Sequence, residues 1–549
     1  MLNHSTYRTH SFIAEMFEGE EKMTSVARVN CAPRNFNPAL ELPKGFMEFL
    51  QPLHKVFTPR QRALVAERAG SLAEAHMGRL PDYRAASEAT SGATGGDWRI
   101  DAPDWIRDQR NQITNQIIGP ADDAELVVKM LNSGAPVVTL DLEDSMANYW
   151  PNLMRGVRNI AGALKGELCY DDRKINRKVA IEKSRAVIFT RARGLHLNQA
   201  GVFPDEMISA SLFDVALIAY QVDPAALKHP LAFYIPKSES AEEALWWRDL
   251  FREIERARGW APGWIKCMAL VESLPLAYQM EEFVYNLRGH IVGLNLDVWD
   301  YLASLVHFNL PNPEWALPDR DTIPQDAPFL QRLRQSLAEI CHRRGILAID
   351  GAISGLASLS SGGSGSEDSE LNPLALAVFE ADERNEARWL PWLMDGARTG
   401  RPDQIAIHAA QFPHPNQSRP SPRDIARDRG LTVAGTRAAT RAVIRYRANY
   451  LRGKGATLLD GYMEDLATDR VYRLMIAQRM LHQRSVTIID EAGQPARHTP
   501  EFVSALFDEE LDKILSDAPV DSLYEDHDSC WLARFLSEQM IRDGEFTPE

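Results

Sequence analysis

The sequence predicts an α/β protein built around a (β/α)₈ barrel, with helical segments before and after the barrel. Eight short apolar runs recur between residues 111 and 412, and helix-like stretches separate most of them. Several of these stretches end in glycine, the usual stop of a helix. The predicted strands are 113–119, 136–144, 186–194, 231–239, 265–273, 290–300, 346–354 and 404–412.

The chain divides into three predicted regions. Residues 1–110 are predicted to form a mostly helical clasp, in which 45–70 contains two short helices broken near Thr58 and Pro59. Residues 111–412 form the barrel, and the Ser/Gly-rich stretch at 354–370 is typical of a mobile loop. Residues 413–549 are predicted to form a C-terminal helical domain.

Composition and charge exclude several classes of protein. The 549 residues carry a net charge of −15, so no broad basic surface exists to neutralise nucleic-acid phosphates. No apolar stretch approaches the roughly 20 residues that span a bilayer, and the N-terminus does not resemble a secretory signal. The five cysteines include no C-x-x-C pair. We therefore expect a cytoplasmic protein whose partners are small molecules, without nucleic acid or membrane.

Charged side chains follow the predicted strands at their carboxyl ends. In a barrel these ends meet at one mouth, so the side chains should converge. Clustered carboxylates repel one another unless a cation intervenes, and Mg²⁺ or Mn²⁺ is the natural hard, oxygen-ligated cation. An arginine on the neighbouring strand indicates an anionic substrate. The groups are Asp141, Glu143, Asp144, Arg191, Arg193, Lys237, Glu239, Glu272, Asp297, Asp300, Asp350 and His408.

Specific strings then point to a family. LNSGAPVVTLDLEDS, RARGLHL, FYIPKSES, ALVES, GLNLDVWDY and GYMEDLATD occur in this order, and the resemblance covers about residues 96 to 485. Together they resemble the malate synthases, most closely the shorter A-type form. The resemblance implies a TIM barrel with an N-terminal clasp and a C-terminal helical plug. It also implies a Claisen condensation of acetyl-CoA with glyoxylate, followed by thioester hydrolysis to malate and CoA.

The same resemblance assigns roles to individual residues. Glu272 and Asp300 correspond to the family's Mg²⁺ ligands, Asp465 of MEDLAT to its catalytic base, and Arg191 to its catalytic arginine. Four further residues correspond to substrate-binding positions near the metal, namely Asp141, Glu143, Asp144 and Trp299. Acetyl-CoA is the implied co-substrate. The histidines 196, 342 and 408 and the tryptophans 246 and 247 are interpreted as structural.

Two segments depart from the family pattern. The family shows G-L-N-C-G-R-W-D-Y before its second metal ligand, whereas here Asp297 and Val298 replace the Gly-Arg pair. The family's G-T-W-V-A-H-P is replaced by ARTGRPDQIAIHAA, and its M-G-G-M-A-A-Q-I-P by IDGAISGLA. These changes lie where the acyl-CoA is expected. A divergent relative that uses another acyl-CoA or another 2-oxo acid is therefore an open alternative.

Two other classes also stay open. The same fold and metal can cleave a malyl-CoA-like thioester or hydrolyse a thioester alone, so a lyase or a thioesterase is one alternative. A non-catalytic relative that senses a metal or metabolite is another, although the retained Asp465 and Glu272 argue against it. Asp465 also has a simpler explanation, because an aspartate at the start of a helix commonly caps it.

Overall fold

The centre of the molecule is a closed barrel of eight parallel strands surrounded by helices, which confirms the predicted fold class. The computed structural model describes residues 30–85, 87, 89–90, 98–101, 103, 105, 115–182, 184–319, 323, 327–353, 394–399, 430–460, 462–517 and 527–546. The predicted loop at 354–370 lies outside the described residues. No helix in these ranges is long and apolar enough to cross a membrane.

The N-terminal region contains strand β1 (Asn30–Cys31), helix α1 (Pro38–Glu41) and the long helix α2 (Phe46–His76). The prediction of two short helices is wrong, because α2 is continuous over 31 residues with Pro52 and Pro59 inside it. Its buried face packs against the helices of the barrel, and Trp246 donates a hydrogen bond from Nε1 to the carbonyl of Phe57 at 2.9 Å. This tertiary packing outweighs the backbone hydrogen bonds that the two prolines remove.

Twelve further strands lead from the end of this region through the barrel. They are β2 (Gln116–Pro120), β3 (Val137–Asp141), β4 (Cys169–Asp172), β5 (Arg177–Ala180), β6 (Val187–Arg191), β7 (Asn198–Ala200), β8 (Ile208–Ser209), β9 (Ala232–Ile235), β10 (Lys266–Val271), β11 (Ile291–Leu296), β12 (Leu347–Ile353) and β13 (Gly396–Thr399). The barrel closes in the order β2-β3-β6-β9-β10-β11-β12-β13. β4 pairs with β5, and β7 joins β1 and β8 outside the barrel.

The eighth barrel strand differs from the prediction. The position between β12 and β2 is taken by Gly396–Thr399, where Arg398 lies opposite Gln116 in the register. The predicted strand at 404–412, with His408, lies outside the described residues. The sequence GART is too short and too polar to stand out as a strand, whereas the run at 404–412 is more apolar and has the pattern of one.

Helices cover the outside of the barrel. They are α3 (Ala124–Asn132), α4 (Trp150–Lys165), α5 (Ala210–Gln221), α6 (Ala241–Arg258), α7 (Leu274–Ala277), α8 (Met280–Asn286), α9 (Val298–Phe308) and α10 (Pro328–Arg344). α6 and α10 end at Gly259 and Gly345, both in the left-handed conformation that favours glycine. Trp246 and Trp247 are fully buried in the core between helices and strands, which confirms their structural interpretation, and Cys267 is fully buried in the same core.

The C-terminal region is helical, as predicted, with two small hairpins. Its elements are α11 (Val433–Leu451), β14 (Thr457–Leu459), β15 (Tyr462–Glu464), α12 (Leu466–Leu481), β16 (Ile488–Ile489), β17 (Pro495–Ala496), α13 (Pro500–Asp517) and α14 (His527–Asp543). The helices share their own apolar core, which includes Ile444, Ile476 and Phe507. α12 packs against α9 of the barrel, so this region is seated directly on the barrel.

The loop after α11 fixes this seating. Tyr450 Oη accepts a hydrogen bond from the backbone of Asn148 at 3.2 Å, and Asn152 donates to the carbonyl of Gly453 at 2.8 Å. Gly455 approaches the chain just after β3 so closely that a Cβ there would overlap the backbone of Met146 and Ala147. Glycine at 455 therefore lets the C-terminal region reach the barrel mouth.

We expect Gly455→Ala to lower the free energy of unfolding by about 1–3 kcal/mol, because the methyl group must push two backbones apart. Thermal unfolding of the purified protein measures this. Gly70→Ala is the matched control, since Gly70 lies inside α2 with open space around its Cβ position. That change should stabilise the protein by about 0.5–1 kcal/mol. Equal unfolding temperatures for Gly455→Ala and the unmodified protein would show that the contact is unimportant.

Candidate active site

The predicted strand-end residues meet at one mouth of the barrel. Asp141 and Arg191 are the last residues of β3 and β6, and Glu272 directly follows β10. Asp300 lies in the first turn of α9, immediately after β11. All four side chains are buried. The parallel barrel therefore brings together charged groups that lie far apart in the sequence.

Three carboxylates form a cluster that could hold a metal ion. One oxygen each from Asp144, Glu272 and Asp300 lies within 4.8 Å of the others. Among the described residues, Asp144 Oδ1, Asp300 Oδ1 and both oxygens of Glu143 are buried without a hydrogen-bond partner. Buried oxygens of this kind are costly unless a ligand satisfies them. The all-oxygen donor set fits Mg²⁺ or Mn²⁺, and it adds Asp144 to the two predicted ligands.

Lys237 places a positive charge inside this cluster. Its Nζ lies 2.6 Å from Asp144 Oδ2 and 3.4 Å from Glu272 Oε2, and it also donates to Asp300 Oδ2. Its backbone has φ 51°, an unusual value for a residue other than glycine, and its N–H donates to Glu272. The sequence showed Lys237 at a strand end but gave no sign that its side chain would turn into the carboxylates.

Arg191 is held rigidly by Asp141. Arg191 Nε and Nη2 donate to the two oxygens of Asp141 at 2.6 and 2.5 Å, while Nη1 lies 3.4 Å from Asp144 Oδ2. Asp141 also accepts hydrogen bonds from the backbone of Glu143 and from Ser145. Because both of its oxygens are engaged, Asp141 fits the role of positioning Arg191 better than the predicted role of contacting substrate.

Opposing effects act on the acids of the cluster. Burial raises the pKa of Asp144, but the charges of Lys237 and Arg191 outweigh it and hold that pKa at about 2. Burial and the neighbouring Asp144 raise the pKa of Glu143 well above its ordinary value. The charges of the cluster therefore act in opposite directions on two adjacent carboxyl groups, lowering the pKa of Asp144 and raising that of Glu143.

Asp465 belongs to the C-terminal region but lies in the electric field of this cluster. It precedes α12, accepts a hydrogen bond from the backbone of Ala467 at 3.1 Å and forms a capping box with Thr468. Burial, Asp144 and Asp297 raise its pKa to about 7, against the opposing charges of Arg191 and Lys237. Asp465 thus caps a helix and also lies close enough to the barrel mouth for the charges there to act on it. The interpretation of Asp465 as a helix cap is therefore compatible with its interpretation as a catalytic base.

The helix that Asp465 caps also contacts the cluster of carboxylates. Arg470, one turn into α12, lies 3.9 Å from Asp300 Oδ1 and donates to the carbonyl of Phe546 at 2.7 Å. Trp299, a predicted substrate-binding residue, is partly buried beside Asp300 at the start of α9. His342 lies 3.2 Å from Asp395, in keeping with its structural interpretation.

The fold and this mouth define a class, the (β/α)₈-barrel proteins with an acidic metal-type site at the carboxyl ends of the strands. Two family models narrow the class. Residues 187–433 match the malate synthase TIM barrel domain, and residues 431–543 match the malate synthase C-terminal domain. The chain belongs to the malate synthase family, as the sequence strings predicted.

Individual relatives support this membership. The chain is 32% identical over 491 residues to malate synthase A of Escherichia coli (strain K12), covering 86% of this chain and 87% of that one. It is 33% identical over 495 residues to malate synthase of Streptomyces clavuligerus, with the same coverage. A malate synthase pyruvate/acetyl-CoA ternary complex from Haloferax volcanii covers 68% of this chain and 92% of its own, at 15% identity and a TM-score of 0.45. That structural likeness is too distant to carry any part of the assignment.

Proposed function

We propose that this protein is a magnesium-dependent C-acyltransferase that condenses acetyl-CoA with glyoxylate and then hydrolyses the thioester, giving malate and CoA. The observation that carries the proposal is Asp465, a carboxylate at the start of α12 that lies close enough to the barrel mouth for Asp144, Asp297 and Arg191 to act on its pKa. The match to E. coli malate synthase A supports it.

Glu272 and Asp300, with Asp144 beside them, would hold Mg²⁺, and Mn²⁺ is an alternative ion for the same oxygens. When bound, the ion supplies Lewis acidity toward the carbonyl group of the 2-oxo acid. The buried carboxylate oxygens without hydrogen-bond partners in the described chain are the observation that fits such an ion. Glu143, whose pKa is raised by burial and by Asp144, would lie beside the oxo acid.

Asp465 and Arg191 divide the proton-transfer step between them. A thioester methyl group is a very weak acid, so a carboxylate can remove its proton only if the developing oxyanion is stabilised. Arg191 offers a permanent positive charge, and Asp141 fixes its orientation through two hydrogen bonds. A pKa of about 7 makes Asp465 a stronger base than an ordinary aspartate.

A CoA-release assay with a thiol reagent tests the proposed reaction. With acetyl-CoA and glyoxylate we expect one CoA for each malate, loss of the reaction on chelation of divalent metal, and recovery with Mg²⁺. Turnover that survives exhaustive chelation would refute the metal requirement. Acetate in place of malate would identify a thioesterase, and cleavage of supplied malyl-CoA to acetyl-CoA and glyoxylate, with no release of CoA, would identify a lyase.

The pH profile should show the titration of Asp465. A general base works only when ionised, so kcat/KM should fall about tenfold for each pH unit below a pKa of about 7. Asp297 contributes to raising this pKa, so Asp297→Asn should move the acidic limb of the profile to lower pH. A profile that stays flat from about pH 6 to 8 would remove Asp465 from the role of base.

A further inference from the structure

Two of the segments that depart from the family pattern meet in space. Asp297, at the end of β11, accepts a hydrogen bond from Arg398 of β13, with 2.6 Å between Oδ2 and Nη2. The Arg398 side chain is only 3% exposed and that of Asp297 15%. β11 and β13 both flank β12, so the closed barrel brings together residues that lie about a hundred positions apart.

Arg398 points into the barrel near its mouth. Its neighbour Ala397 belongs to the core outside the barrel, and side chains alternate along a strand. Arg398 lies opposite Gln116, which accepts a hydrogen bond from Tyr234 Oη, while Asn295 donates to the same hydroxyl at 3.4 Å. Tyr234, Gln116 and Asn295 thus form a polar group next to Arg398, and Tyr234 lies opposite Arg191 in the register of β6 and β9.

Arg398 has spare hydrogen-bonding capacity. Within the described ranges, its Nε and Nη1 are buried and have no hydrogen-bond partner, and Asn295 Oδ1 is in the same position. Asp297 engages only Nη2. A buried guanidinium with two idle donors is costly as a purely structural element, but it matches the fork-like geometry that recognises a carboxylate. Arg398 is also close enough to the Tyr234 hydroxyl for its charge to oppose the rise in the pKa of that group.

We infer that Arg398, oriented by Asp297, binds a second carboxylate of the substrate. The first is the carboxylate of the 2-oxo acid, which would lie beside the cluster of Asp144, Glu272 and Asp300. The inference rests on the proposed chemistry, the condensation of an acyl-CoA with a 2-oxo acid, and goes beyond it, because it assigns the enzyme a dicarboxylic substrate in addition to acetyl-CoA and glyoxylate. The second carboxylate can come from the far end of the 2-oxo acid or from the acyl group of the CoA thioester. In both cases Arg398 is a specificity-determining residue on the side of the site formed by β11 and β13.

A substrate panel tests the inference and separates the two sources. Acetyl-CoA is combined with glyoxylate, 2-oxosuccinate or 2-oxoglutarate, and glyoxylate is combined with succinyl-CoA, in the CoA-release assay. Arg398→Met should lower kcat/KM for the preferred dicarboxylic pair by at least about 100-fold. Its effect on acetyl-CoA with glyoxylate should be much smaller. If the loss appears with 2-oxosuccinate or 2-oxoglutarate, the second carboxylate belongs to the oxo acid. If it appears with succinyl-CoA, the second carboxylate belongs to the acyl group.

Arg334→Met is the matched control. It removes another buried arginine from an ion pair, with Asp350 at 3.1 Å, but this pair joins α10 to the outside of β12. Any effect of Arg334→Met on kcat/KM should be equal for all substrate pairs. Arg398→Lys keeps the charge without the fork and should give an intermediate loss for the dicarboxylic pair, which keeps the test informative if Arg398→Met folds poorly.

Binding measured by calorimetry gives a readout without turnover. The Kd of the dicarboxylic oxo acid or of succinyl-CoA should weaken at least about tenfold in Arg398→Met. If neither Kd nor the ratio of kcat/KM values changes, Arg398 serves only to close the barrel mouth and the inference is wrong. If no pair releases CoA in the unmodified protein while binding still depends on Arg398, the proposed function fails and the binding role stands.

Discussion

Asp465→Asn should lower kcat for condensation by about 10²–10⁴-fold, the usual contribution of a general base. Asparagine caps helices about as well as aspartate, so α12 and its contact with the barrel should persist. Under the proposed function Mg²⁺ and glyoxylate bind on the barrel, so each should keep nearly the same Kd. The substitution therefore separates the proposed chemical role of Asp465 from its observed role as a helix cap.

Asp460→Asn is the control for this experiment. Asp460 lies in the same region, is exposed, and has a positive φ of 51° that asparagine tolerates well. Its kcat should equal that of the unmodified protein. Rates are compared at saturating glyoxylate and acetyl-CoA, with bound Mg²⁺ confirmed by calorimetry. Unimpaired turnover in Asp465→Asn would assign the base to another residue.

Asp300→Asn should weaken Mg²⁺ binding at least about 100-fold, because it removes one of three charges from the carboxylate cluster. The Mg²⁺ concentration that gives half-maximal activity should rise by the same factor. Isothermal calorimetry and a Mg²⁺ titration of CoA release measure the two effects independently. Glu272→Gln should behave in the same way, since its carboxylate belongs to the same cluster.

Asp395→Asn serves as the control for the metal experiment. Asp395 is another fully buried carboxylate of the barrel, but it lies before β13, at the opposite end of the strands. It accepts hydrogen bonds from the backbone of Ala348 at 2.9 Å and from His342. Its loss should affect stability and leave the Kd of Mg²⁺ unchanged. A similar loss of Mg²⁺ affinity in both variants would point to general damage rather than to a ligand.

The sequence predicts most of the barrel because buried parallel strands are nearly continuous apolar runs. Seven of the predicted runs contain the observed strands or overlap them, from β2 to β12. The eighth predicted run, 404–412, is not the eighth barrel strand, since Gly396–Thr399 takes that place and becomes a strand only through its neighbours β12 and β2. The sequence predicts two helices in place of α2 for the opposite reason. Its prolines are a strong local signal, and the packing that overrides them is not visible in a local pattern.

The site was predictable to a similar extent. The acidic residues stand out because they follow apolar runs, and barrel geometry then requires them to converge. Asp465 could be assigned only from the family motif, since nothing local distinguishes a base from a helix cap. The inward turn of Lys237 and the pairing of Asp297 with Arg398 depend on backbone conformation and barrel closure. Such long-range features leave no periodic trace in the sequence.

The position of Lys237 has a consequence for how the barrel closes. Its ammonium group lies among Asp144, Glu272 and Asp300, and these acids reach the mouth after strands other than β9, the strand that precedes Lys237. These charge pairs therefore form only when the separate strands are assembled into one barrel. We expect them to make folding of the barrel more cooperative, because no single strand and its helix can gain them alone.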